Sequence, residues 1–111
     1  MAYIKDTIAA IATPPGKGGV GIVRISGPCA VRIGKEISKR ETEPRVATLV
    51  SFYDERGRTI DQGLLIFFQG PHSFTGEDLI ELQGHGGPVV MDLLLKKIRQ
   101  LQLLEEIKKI F

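Results

Sequence analysis

The chain has 111 residues, 42% of them hydrophobic and 25% charged, which fits one soluble globular domain with a modest core. A net charge of +2, with scattered basic residues and no tryptophan, carries no signature of direct nucleic-acid binding. No apolar run is long enough for a membrane span, and a single cysteine, Cys29, excludes an internal disulfide or a cysteine metal cluster.

The N-terminal MAYIKDTIAA places Lys5 and Asp6 where a signal peptide would need an apolar core, so a cytoplasmic location is expected. Thr7 to Ala12 reads as a short strand stopped by Thr13-Pro14-Pro15-Gly16. Gly16-Lys17-Gly18-Gly19 is not a phosphate loop, because the lysine lacks the Ser/Thr partner and a strand follows it. A loop between strands and a glycine-rich contact with a ligand or second subunit both remain open.

Val20 to Ser26 reads as a second strand. Gly21 within it signals a bulge or a close approach, and Arg24 interrupts an apolar row. Ser26-Gly27-Pro28 suggests a helix start capped by Ser26, with Ala30, Val31, Ile33 and Ile37 as the buried stripe and Lys39 to Glu43 as the end. Arg45 to Tyr53 and Thr59 to Gln69 predict a hairpin through Asp54-Glu55-Arg56-Gly57. Leu64 to Phe68 is apolar throughout, which predicts cover on both faces.

The stretch from Gly70 to Met91 holds the chemistry. A polar loop with Ser73, Thr75, Glu77 and Asp78 leads into a strand over Leu79 to Gln83. Glu81 stands inside that apolar run on the same face as Leu79 and Gln83, so it either faces water or belongs to a site. A carboxylate can accept two parallel N–H donors, as an amino-heterocycle presents them, and an arginine fork complements an anion or carbonyl. His85 and His72 make a poor metal set, and His85 reads more readily as a turn residue bonded to local backbone. Gly86-Gly87 either serves a tight turn or offers backbone N–H groups to an anion at the start of the last helix, near Pro88. Val90, Leu93, Leu94, Ile98 and Leu101 give that helix its apolar face. The resulting order is β-β-α-β-β-β-α, an α+β domain with helices packed on a mixed sheet.

DTIAAIATPPGKGGVGIVRISGP, Pro44-Arg45 and PHSFTGEDLIELQGHGGPVVMDLLL together resemble the N-terminal domain of the bacterial tRNA modification GTPases of the MnmE (TrmE) family. The resemblance covers about Asp6 to Leu101. It implies a fold related to the folate-binding glycine-cleavage T proteins, homodimerisation through this domain, and a bound tetrahydrofolate derivative in 5-formyl or methylene form. It also implies that Arg24 and Glu81 are folate-binding positions, with Ser73, Thr75, Gly86 and Gly87 as candidate pocket walls. In the family, an MnmG-type flavoprotein and tRNA are partners in modifying the wobble uridine. GTP, potassium and magnesium would belong to a GTPase domain outside this sequence, as would a C-terminal catalytic cysteine. Residues 1–102 are expected to form the folate-binding and dimerisation domain, and residues 103–111 a helix extension or atypical tail. The expected role is binding, without catalytic or metal-ligating residues. The alternatives are a dimerisation module that has lost its folate pocket and a standalone folate-dependent one-carbon transferase.

Overall fold

The computed structural model describes residues 6–13 and 19–110. The elements run β1 (Ile8–Ile11), β2 (Val20–Ser26), α1 (Ala30–Ser38), β3 (Thr48–Tyr53), β4 (Thr59–Phe68), β5 (Leu79–His85) and α2 (Pro88–Ile110). The α+β class and the element order are those expected. Among the described residues every strand pair is antiparallel, and an isolated parallel bridge joins Pro44 to Phe67.

The sheet order is β1-β2-β5-β4-β3. The two N-terminal strands therefore add to one edge of a meander built by the later three, and β5 becomes the centre of the sheet. Alternation then sorts the side chains. Val23 and Ile25 of β2, Val50 and Phe52 of β3, Leu65 and Phe67 of β4, and Ile80 and Leu82 of β5 share one face and are buried. Ala30, Ile33 and Ile37 of α1 and Met91, Leu94, Ile98 and Leu101 of α2 complete the same core. Full burial of a side chain of this size stabilises the fold by about 1.5–3 kcal/mol before chain entropy is counted. Both helices lie on that face, so among the described residues the other face has no helical layer over it.

Several local expectations change in three dimensions. Ser26 does not cap α1: it remains in β2, and the capping position is Cys29, whose N–H donates to the Thr7 hydroxyl at 2.8 Å. The helix ends at Lys39, which takes a left-handed conformation with φ of 56°. The third strand starts at Thr48 rather than Arg45. Arg45 has φ of 63° and donates its N–H to the Phe67 carbonyl, which turns the chain before the hairpin begins. Leu64 to Phe68 is not covered on both faces: Leu65 and Phe67 are buried against the helices, whereas Leu64, Ile66 and Phe68 are half-buried on the side without them. Residues 14–18, most of the Gly16–Gly19 segment, lie outside the described residues.

The last helix runs for 23 residues, without a break at residue 103. Gln102 donates from its side chain to the Thr7 carbonyl at 2.8 Å, and Arg32 of α1 meets Glu105 of α2 at 2.7 Å. These contacts tie the second half of α2 to the first strand region and to α1.

Candidate functional site

The face without helices carries a polar pair at its middle. Because β2 and β5 are antiparallel neighbours, Arg24 and Glu81 fall directly opposite each other, with Ala10 and Ile66 continuing the row on either side. Arg24 Nε donates to Glu81 Oε1 at 3.1 Å. Gln83, two residues along β5 on the same face, donates its amide to Glu81 Oε2 at 3.0 Å. Glu81 is only 7% exposed, so it does not simply face water. A carboxylate removed from water to this degree requires such partners.

Both Glu81 oxygens keep lone-pair capacity after these contacts. Among the described residues, Arg24 uses Nε alone in a hydrogen bond, and its side chain is 38% exposed. The pair can therefore take an additional N–H donor at the carboxylate and an oxygen acceptor at the guanidinium terminus.

The segment 70–78 folds over one end of this row. Thr75 and Ser26 join hydroxyls at 2.7 Å, and the Gly27 N–H donates to the Asp78 carbonyl at 3.0 Å. Inside the loop, the Gly70 N–H donates to Asp78 Oδ1 at 2.9 Å and the Ser73 hydroxyl donates to the Glu77 carbonyl. Ser73 and Thr75 thus shape the loop with their hydroxyls and stand near the row without pointing to a second function. The loop carries Phe74, whose ring centre lies 5.2 Å from the Arg24 guanidinium carbon, within cation–π range.

The far end of β5 is organised by a contact that sequence reasoning missed. His85 does not bond to local backbone. Its N–H donates to Asp61 Oδ2 at 2.8 Å, and its Nδ1 lies 2.7 Å from Asp61 Oδ1. Burial works against the Asp61 carboxylate, but the bonds from the His85 backbone and ring outweigh it and hold its pKa below the ordinary aspartate value. The carboxylate continues the β4–β5 connection past the last paired residues, Leu64 and Gln83.

Gly86 and Gly87 link this end to α2, and the Met91 N–H donates to the Gly87 carbonyl. Gly87 is outside the left-handed region, and a side chain there would meet open space, so the turn does not require glycine at that position. Gly21 shows the close approach its placement suggested. The neighbour is the Met91 side chain, whose sulfur would lie 2.6 Å from an added Cβ, with Gly86 Cα at 3.0 Å. Arg24, Glu81 and the Ser73–Thr75 loop therefore gather at one part of the face. Gly86 and Gly87 stand five and six residues further along the chain from Glu81, past the Asp61–His85 contact. Phe74 and Asp61 were not singled out from sequence. An aromatic in the middle of a polar Ser-Phe-Thr-Gly loop was a legible signal, whereas nothing local marks Asp61 as the partner of a residue 24 positions away.

A family model described as GTP-binding protein TrmE N-terminus matches residues 7–106, nearly the whole chain. The chain belongs to the TrmE N-terminal family. Within the family, curated relatives named tRNA modification GTPase MnmE are close in sequence. The protein of Pseudomonas paraeruginosa is 62% identical over 101 residues, covering 91% of this chain and 22% of the relative. That of Nitrosococcus oceani is 57% identical over 98 residues, covering 88% and 21%. That of Vibrio cholerae is 56% identical over 97 residues, covering 87% and 21%. The chain thus spans about a fifth of the length of these relatives. Among the described residues, no helix is long and apolar enough to cross a membrane.

Proposed function

We propose that this TrmE N-terminal chain is a folate-binding and dimerisation domain that serves a cytoplasmic tRNA modification GTPase acting on the wobble uridine of tRNA. The observation that carries the reading is the Arg24–Glu81 pair, joined across adjacent strands on the sheet face without helices. A pterin offers adjacent N–H donors and a ring carbonyl along one edge. Glu81 has lone pairs for the donors and Arg24 has terminal amino groups for the carbonyl or for an anionic tail. The acceptors of Glu81 and the donors of Arg24 therefore fit a reduced folate in 5-formyl or methylene form. When bound, such a folate would supply a one-carbon unit. This chain's part is to hold and orient the ring, and no residue of the site is assigned a catalytic step.

Dimerisation through the same face is supported by its apolar margins. Ile8 on β1 and Leu49 on β3 are 62% and 67% exposed, and Ile22, Leu64 and Ile66 between them are half-buried. A second copy laid on this face would remove them from water. GTP with its metal ions, the MnmG-type flavoprotein and tRNA belong, on this reading, to the parts of the longer relatives that this chain does not match.

Calorimetric titration of the folded chain with 5-formyltetrahydrofolate tests the proposal, with saturable heat as the expected result. A second reading, dimerisation without folate, is favoured by one observation: both Glu81 oxygens already have internal donors, Arg24 and Gln83. Sedimentation separates the two readings. A dimer that gives no heat with the folate supports the second and overturns the first.

A further inference from the structure

We propose that Phe74 is the stacking platform of the ligand site, selecting a planar nitrogen-rich ring at the Arg24–Glu81 pair. The inference rests on the folate reading of that pair and adds the element that would recognise the ring itself.

Phe74 is 84% exposed, more than any other large hydrophobic residue identified as exposed among the described residues. It is not at a frayed end. The loop bearing it is held by the Gly70–Asp78 bond, the Ser73–Glu77 bond, the Ser26–Thr75 hydroxyl pair and the Gly27–Asp78 bond. Four contacts on both sides of one residue hold the backbone in place and leave the ring in water. An aromatic ring so presented leaves apolar surface available for a partner.

The ring's position identifies the kind of partner. Ile8 and Leu49, the exposed residues suited to a second copy, stand on the outer strands β1 and β3. Phe74 instead reaches to the β2–β5 pair at the centre of the sheet, with its ring centre 5.2 Å from the Arg24 guanidinium carbon. Arg24 in turn bonds Glu81, and Glu81 bonds Gln83. A π face, a cation, a carboxylate and an amide therefore follow one another contact by contact. The π face suits a flat ring laid against it, the guanidinium suits that ring's carbonyl oxygen, and the carboxylate suits its N–H edge. An aliphatic or purely anionic ligand would use the arginine and leave the phenyl ring idle.

The experiment uses the chain as it stands, with two ligands and two substitutions. Calorimetry is run with 5-formyltetrahydrofolate and with p-aminobenzoylglutamate, which keeps the tail and lacks the pterin. Phe74→Ala should weaken the first by about 5- to 150-fold, the range for removing one aromatic stacking partner, while Phe74→Tyr stays within about 3-fold of the parent. Neither substitution should alter the second ligand's affinity. Because the side chain is in water, circular dichroism should show both variants folded. Parent-like folate affinity in the Phe74→Ala chain overturns the inference while the folate reading stands. Unchanged affinity accompanied by a weaker dimer in sedimentation also overturns it, by assigning Phe74 to contact with a second copy. Absence of folate binding by the parent chain overturns the folate reading and this inference with it.

Discussion

Gly63 is the position at which one added methyl group should do the most damage. It lies in β4 opposite Val50 of β3, and on its other side β5 passes unusually close. A Cβ built on Gly63 would lie 1.8 Å from the Gln83 carbonyl oxygen, 2.9 Å from the carbonyl carbon and 3.1 Å from a Phe52 ring carbon. Non-bonded heavy atoms prefer about 3.5–4 Å, so the strands would have to part by more than about 1 Å. Neither neighbour can give way cheaply. Gln83 belongs to the central strand, paired to β2 on one side and β4 on the other, and Phe52 is fully buried. Losing about two ladder hydrogen bonds at about 1 kcal/mol each, together with overpacking at Phe52, gives a cost of about 3 kcal/mol or more for Gly63→Ala. For a domain of this size that lowers the thermal midpoint by about 10 °C or more. Thermal melting followed by circular dichroism, alongside urea titration, measures it. A midpoint within about 2 °C of the parent would refute the account of how β4 and β5 approach each other. The same displacement moves Gln83, so folate affinity should fall along with stability.

Gly87→Ala makes the opposite case, since an added Cβ meets nothing within 4 Å and the backbone is not left-handed: stability should change by less than about 1 kcal/mol in urea titration. Glu81→Gln should weaken reduced-folate binding by roughly 1–3 kcal/mol in calorimetry, and an unchanged affinity removes Glu81 from the site. Acid stability should depend on Asp61 and on Glu105. At Glu105 burial opposes the charged form, but bonds from Arg32 and Lys108 prevail and hold its pKa below the ordinary glutamate value. Both folded pKa values lie below the ordinary values of 3.8 and 4.5, so the stability these groups contribute is present above that range and lost as pH falls through the lower folded values. A chain carrying Asp61→Asn and Glu105→Gln should therefore show a flatter fall in thermal midpoint below about pH 4.5 than the parent, and parallel curves would count against both assignments.

How much of the site could be read along the chain depends on how local each contact is. Turn chemistry and hydrophobic period marked all seven elements, because Pro14-Pro15, Asp54 to Gly57 and the helical spacing of Leu94, Ile98 and Leu101 act over a few residues. Alternation likewise set Glu81 and Gln83 on one side of their strand. The Ser26 cap failed for a different reason. Sequence offers a serine before a helix as a cap, but the loop ending at Asp78 takes the chain at Gly27 and leaves the Ser26 hydroxyl facing Thr75.

Sequence by itself determined the α+β class, the order of elements and the presence of a carboxylate and an arginine in the middle of two strands. Tertiary structure decided that those strands are neighbours, through an antiparallel pairing that brings together residues 57 positions apart. It also decided that both helices cover the same face, which leaves Arg24, Glu81 and Phe74 on the other. Periodicity states which residues share a side of a strand, but strand order and the choice of covered face come from packing the whole core at once.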